Sequence, residues 1–324
     1  MNAAAHPAFV EQVAAYLAHW RALGRQYHQQ EWLLHRVLVD LQAMGHDDLT
    51  ASSFAAWFDS RRHLHPNTRR NCAQMLRHFC VHRRRTDPGC FVPGPELACR
   101  AQPHVTPVIL GERQVACMLA AAAALEPSPN SPLRPAAMRM AVALLYTTGL
   151  RLGELQRLVL SDVEDNGAIL RVRESKFHKS RLLPLSASTQ AELLAYLDQR
   201  AVAGFRTGPA APLLCTRARG STSAYSISGL QHGLNPLLRR VAASESGARR
   251  ARVHDLRHSF AVQALARWYR QGADVQAQLP KLSMYMGHVS IESTAYYLRW
   301  TDEIAALASQ RFAQHFAATI GGTT

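Results

Sequence analysis

Residues 86–107 divide this chain. They carry five prolines (88, 93, 95, 103, 107) and two glycines (89, 94), with no apolar period. Proline has no amide hydrogen to give to a helix or a ladder, and it pushes the residue before it out of helical backbone. Such a tract reads as a linker. The chain is therefore expected to form two units, 1–90 and 108–324, joined by 91–107. With 324 residues in all, each side is long enough to bury a core of its own.

On the N-terminal side the apolar period is helical throughout. Val10, Val13, Ala14, Leu17 and the segment 20–23 recur at helix spacing, as do Leu33, Leu34, Val37, Leu38 and Leu41. Thr50-Ala-Ser-Ser53 is a cap for a short helix bearing Phe54, Trp57 and Phe58. Pro66-Asn67-Thr68 opens another, which buries Met75, Leu76, Phe79 and Cys80. Arg61, Arg62, Arg69, Arg70, Arg77 and Arg83–Arg85 flank these helices. A solvated face is the ordinary use of such charges; contact with phosphates is the reading favoured in so basic a chain.

Beyond the linker the pattern is mixed. A helix starts at Gly111-Glu-Arg-Gln114 and runs through Leu125, an apolar helix spans 136–146, and after Gly149 a further one covers 151–160. Ile169-Leu-Arg-Val-Arg173 alternates as a strand, with Arg181-Leu-Leu-Pro-Leu185 as its partner. Lys176 and Lys179 fall at the turn between them. Residues 192–199 read as helix, 203–212 as a Gly/Pro loop, and the rest as helix to Ala318. The expected class is mainly α: a helical N-terminal domain, then a mixed α/β domain with a small antiparallel sheet.

Charge bounds the function. The formal net charge is +14 and the pI about 10.1, which points to a polyanionic partner. Of 37 basic residues only Lys176, Lys179 and Lys281 are lysine. A lysine can surrender a proton where arginine cannot, so a close pair of lysines in an arginine-rich chain suggests acid chemistry by one of them. No run approaches a membrane span and no secretory signal is seen. Six scattered cysteines (72, 80, 90, 99, 117, 215) fit reduced thiols in the cytoplasm.

The chemistry-bearing residues sit in short motifs. Arg151 and Glu154, in Thr-Gly-Leu-Arg-Leu-Gly-Glu, are three apart and share a helix face. A carboxylate there can fix a guanidinium so that its fork meets two phosphate oxygens, although an ordinary intrahelical salt bridge would look the same. His254 and Arg257, in His-Asp-Leu-Arg-His, also share a face. His254 and His258 have the spacing of a helical zinc pair, but the arginine beside them would repel a metal, so no metal and no cofactor are expected. His288 follows Gly287, and Tyr297 stands nine residues after His288.

Each fragment is weak alone. Together, Arg151, Lys176, His254, Arg257, His288 and Tyr297 resemble, in order and spacing, the tyrosine site-specific recombinase (phage integrase) family. The resemblance covers most of the chain and implies a SAM-like core-binding domain before the linker and a catalytic domain after it. It implies that Tyr297 attacks a DNA phosphodiester to form a 3′-phosphotyrosyl bond, with Arg151 and Arg257 clamping charge and Glu154 orienting. His288 would donate a hydrogen bond to the phosphate, Lys176 would protonate the leaving 5′-oxygen, and His254 is the candidate base. Two placements stay open: Lys179 is the alternative to Lys176, and Tyr296, expected to pack inward, is the alternative to Tyr297.

The implied partners are double-stranded DNA carrying inverted repeats, copies of the chain itself in a tetrameric synapse, and accessory recombination proteins. A segment after Tyr297, with Ile304, Leu307, Phe312 and Phe316, would dock on a neighbouring protomer. The implied setting is a bacterial cytoplasm, in association with the nucleoid, and the role integration or transposition within a mobile element. Three other readings compete: a basic DNA-binding regulator without chemistry, topoisomerase IB-like cleavage with religation of the original strand, and a metal-dependent hydrolase, which the absence of a carboxylate cluster in the sequence disfavours.

Overall fold

The computed structural model describes residues 7–95, 106–173, 180–218, 220–242, 249–288, 290, 292–299, 305–310 and 312–313. It separates into two compact units, Met1–Val105 and Thr106–Thr324.

In the first unit four helices follow the apolar stripes of the sequence: α1 (Pro7–Ala22), α2 (His28–Ala43), α3 (Ala51–Ser60) and α4 (Pro66–Arg83). Thr50 and Ser53 cap α3 reciprocally: the Ser53 amide donates to Thr50 Oγ1 (3.2 Å) and the Thr50 amide to Ser53 Oγ (2.8 Å). Phe9, Tyr16, Leu34, Val37, Phe54, Trp57, Leu76 and Phe79 fill the core between the helices. The buried Trp57 indole donates to Asp40 Oδ2 (3.1 Å), and Arg61 pairs with the same carboxylate.

The second unit is built around α6 (Arg134–Thr148), whose residues from Ala137 to Leu145 are buried apart from Arg139. A helix apolar on nearly every side needs neighbours on every side. It has them in α5 (Glu112–Ala123), α8 (Ala187–Val202), α9 (Ile227–Ala242) and α10 (Val253–Arg270). Gly149 ends α6 in left-handed backbone (φ +63°), and the short α7 (Leu152–Arg157) starts at once. A three-stranded antiparallel sheet joins β1 (Val163–Glu164), β2 (Ile169–Val172) and β3 (Arg181–Pro184), with Leu170 opposite Leu183 and Val172 opposite Arg181. The chain closes through α11 (Val275–Met286), α12 (Glu292–Ala295) and a 3₁₀ turn at Tyr296–Arg299.

Two sequence expectations fail here. The stretch after residue 212 is not helical at first: β4 (Cys215–Ala218) and β5 (Ser221–Ala224) form a hairpin turning over Gly220 (φ +80°). Four-residue strands of Cys-Thr-Arg-Ala and Ser-Thr-Ser-Ala carry too little apolar alternation to be seen. The helix expected over 151–160 stops at Arg157, because Leu158 is extended and its carbonyl accepts from the Leu213 amide.

Candidate functional site

Four elements of the second unit meet at the C-terminus of α11. Gly287 ends that helix in left-handed backbone (φ +65°), and three arginines from three other elements take the three carbonyls there. Arg181, at the head of β3, donates from Nε to Tyr285 O (2.7 Å). Arg257, on α10, donates from Nη2 to Met286 O (2.8 Å). Arg151, at the start of α7, donates from Nη2 to Gly287 O (2.8 Å). The last carbonyls of a helix lack intrahelical partners and carry the negative end of its dipole, so they suit cations.

Glu154 holds two of the three. Its carboxylate accepts from Arg151 Nη1 (2.7 Å) and the Arg151 amide (2.9 Å), and from Arg181 Nη1 (3.2 Å) and Nη2 (2.8 Å). Burial alone would raise its pKa, but Arg181 and then Arg151 outweigh that and hold it at about 2. Arg257 is 2% exposed and also donates to Gly149 O. Burial, and then the Arg151 charge, push its pKa down to about 10, which leaves it cationic at neutral pH. Three cations against one carboxylate leave the cluster positive, as a phosphate site requires.

The nucleophile candidate lies against this cluster. Tyr297 is 3% exposed, and His258 Nδ1 is 3.1 Å from its hydroxyl. The His288 ring stacks on the Tyr297 ring at 6.2 Å, and His288 Nδ1 is 2.7 Å from Thr294 Oγ1. Burial, then Arg257 and Arg151, lower the His288 pKa to about 4. Burial, then His254, lower that of His258 to about 4. His254 stands edge-on to His258, ring centroids 4.7 Å apart. Part of it is open to solvent, yet desolvation and then Arg257 lower its pKa as well.

Arg151, Glu154, His254, Arg257, His288 and Tyr297 are thus brought into one cluster. Lys176 and Lys179 lie outside the described residues. The expectation that Tyr296 packs inward falls on a side chain outside those described; the Tyr297 ring is buried. Sequence reasoning passes over two members. Arg181 reads there only as a strand residue. His258 reads only as a rejected metal ligand; its real signal is its position one helical turn after His254. Among the described residues no group of three or more His, Cys, Asp or Glu could hold a metal ion, and no helix is long and apolar enough to cross a membrane.

The arginines singled out in the first unit differ in use. Arg61 pairs with Asp40, Arg69 lies over the Phe58 ring (4.2 Å) and donates to Phe58 O, and Arg77 donates to Pro93 O (2.5 Å). Arg62 pairs with Asp59 one turn away (2.9 Å) through a side chain largely open to solvent, and Arg70 is half-buried.

Residues 110–303 match the model of the phage integrase family. The chain is 30% identical over 305 residues to the integrase/recombinase y4rB of Sinorhizobium fredii, covering 94% of this chain and 96% of that one. It is 40% identical to y4rE of the same organism over 205 residues, 63% of this chain and 64% of the other, so it spans under two thirds of that relative. Tyrosine recombinase XerD of Caulobacter vibrioides is 31% identical over 79% of this chain and 80% of its own. Among solved structures, the Tn1549 transposon integrase in complex with transposon right end DNA shares the fold with a TM-score of 0.63 at 17% identity, covering 94% and 99% of the two chains. A lambda integrase dimer bound to a core site shares it with a TM-score of 0.58 at 18% identity, covering 89% and 76%.

Proposed function

This chain belongs to the phage integrase family, and on that premise we propose that it is a site-specific DNA recombinase that cuts and rejoins strands through Tyr297. The observation that carries the reading is the packing of the Tyr297 ring among His258 and His288, beside the arginines gathered at the end of α11.

The Tyr297 oxygen attacks phosphorus, the bond to the 5′-oxygen breaks, and a 3′-phosphotyrosyl ester forms. Arg151 and Arg257 neutralise the non-bridging oxygens, and His288 donates to one of them. The 5′-oxygen takes a proton from Lys176, with Lys179 as the alternative. The phenol has a pKa near ~10 in isolation, so its proton needs an acceptor. His254 is one candidate, and His258, already within hydrogen-bond distance, is the other. In the second half a 5′-hydroxyl of the partner duplex attacks the ester, the bond to tyrosine breaks, and the phenol regains its proton. The ester conserves bond energy, so no ATP is consumed, and the paired guanidiniums stand where other phosphoryl-transfer sites use cations.

The partners follow from the same reading: duplex DNA with inverted repeats, a four-protomer synapse, and accessory proteins that set direction. Several structural relatives were solved as DNA complexes, which supports the first of these. The first-unit arginines contact the DNA backbone, with the solvent-facing Arg62 the most accessible of those singled out. Phe312, 64% exposed, supports docking of the tail on a neighbouring copy; Ile304 and Phe316 lie outside the described residues. A truncation after Trp300 that still exchanges strands at normal rates removes that part.

The test works on an unknown target. Protein is incubated with sheared source DNA and EDTA, denatured in SDS, and covalently attached fragments are sequenced. Enrichment of one inverted repeat, lost in Tyr297→Phe, is the expected result. Binding without adduct supports a regulator, and adduct that only religates its own strand supports the topoisomerase reading.

A further inference from the structure

The arrangement at the end of α11 gives a role to a residue outside the catalytic set. We propose that Arg181 is a positioning residue of the phosphate clamp: it holds Glu154, and through Glu154 the Arg151 guanidinium, against the C-terminal carbonyls of α11. This rests on the reading of Arg151 as a phosphate ligand.

Arg181 has little left to offer DNA. Its side chain is 10% exposed. All three of its nitrogens are engaged, Nε with Tyr285 O and the two Nη atoms with the two oxygens of Glu154. That fork-to-carboxylate pairing fixes the plane of the Glu154 carboxylate. The same carboxylate accepts from Arg151 through both its amide and Nη1, so its orientation sets where Arg151 can point. Without Arg181, Glu154 would be a buried anion held from one side only, free to rotate with Arg151.

Two further observations place Arg181 at a junction. A Cβ added at Gly287 would come within 2.9 Å of Arg181 Nη1, while Arg151 Nη1, at 3.6 Å, would be in ordinary contact, so it is the Arg181 guanidinium that crowds this left-handed glycine. Arg181 also begins β3, opposite Val172, and in the sequence it comes two residues after Lys179 and five after Lys176. The strand that leaves the lysine segment is thereby pinned at its first residue to the helix end that Arg151 and Arg257 also grip.

Ordinary structural importance and positioning make different predictions. If Arg181 acts through Glu154, the two residues form one unit and their effects on cleavage do not add. Single-turnover cleavage of the recovered target and DNA affinity are measured on the full chain for wild type, Arg181→Ala, Arg181→Lys, Glu154→Gln and the doubles Arg181→Ala/Glu154→Gln and Arg181→Lys/Glu154→Gln. Misplacing a reacting group by an ångström can cost roughly a hundredfold. Arg181→Ala is therefore expected to lose about ten- to a hundredfold in cleavage rate at unchanged DNA affinity. The double variant should be no slower than the slower single, and Arg181→Lys should recover part of the loss.

The acid limb of the rate should also move up in pH in Arg181→Ala, since Arg181 is the largest influence lowering the Glu154 pKa. Wild-type rates in both Arg181 variants, or losses that multiply in the double, overturn the proposal. Should Arg181→Ala fail to fold, the same cycle is read with Arg181→Lys. If wild type forms no adduct at all, it is the recombinase reading that fails; with adduct present, the cycle judges Arg181 alone.

Discussion

His258 Nδ1 lies 3.1 Å from the Tyr297 hydroxyl oxygen, with His254 edge-on behind it, ring centroids 4.7 Å apart. Replacing His258 by Phe keeps a ring of similar size and removes the acceptor. General-base contributions run at about 10² to 10⁴, so the slowing should fall in that range at neutral pH and shrink as pH rises toward that of free phenol. His254→Phe measured alongside separates the two candidates. Wild-type cleavage by His258→Phe across the whole pH range would leave His254 as the base.

Tyr297→Phe deletes one oxygen from a ring packed against His258 and His288. Covalent adduct on SDS gels should vanish while DNA affinity stays close to wild type. Adduct from this variant, with Tyr296→Phe inactive instead, would sink the assignment.

Gly287→Ala should cost both stability and activity. Left-handed backbone at a non-glycine residue costs about 1–3 kcal/mol, and the new Cβ would crowd Arg181 Nη1 at 2.9 Å. A denaturant titration that shows no loss, together with a normal cleavage rate, contradicts the crowding argument.

Stability should fall as the medium is acidified below neutrality. His258 and His288 are held at about 4 in the folded chain, against roughly 6.5 when unfolded. Unfolding therefore takes up protons, so the stability these two lend is full above about pH 6.5 and drains as pH falls toward 4. Melting temperatures across that window should decline, and less steeply in His258→Phe. A flat profile from pH 7 to 4 would refute the burial of neutral imidazoles.

In the first unit, Asp40→Ala leaves the Trp57 indole N–H without its acceptor and Arg61 without its ion pair. A buried donor left unsatisfied costs about 1–3 kcal/mol. Guanidinium unfolding monitored by tryptophan fluorescence reads this directly, and a loss near zero would mean that water replaces the carboxylate.

Much of this architecture is legible in the sequence. The helices of the first unit follow stripes such as Leu33, Leu34, Val37, Leu38 and Leu41, because burial against neighbours repeats at the helical period. Arg151, His254, Arg257, His288 and Tyr297 are singled out in the sequence by a family resemblance in order and spacing, and the fold brings them near one another. What stays hidden depends on partners distant in sequence. Arg181 meets Glu154 across 27 positions and Tyr285 across 104, separations that no local pattern encodes. The β4–β5 hairpin stays hidden for another reason: its two strands, Cys-Thr-Arg-Ala and Ser-Thr-Ser-Ala, are too short and too polar to show an apolar face.

The acceptors at the end of α11 are main-chain oxygens, and substitution of side chains does not remove a main-chain oxygen. The side chains at 285 and 286 have packing of their own to satisfy, Tyr285 stacked on Phe260 and Met286 buried in the core, but the carbonyls gripped by Arg181 and Arg257 belong to the helix backbone whichever side chains stand there. The anchor of the site is in that sense heritable without being spelled out in the genetic text, and the mutations that reach it are those that bend the helix or fill the space at Gly287.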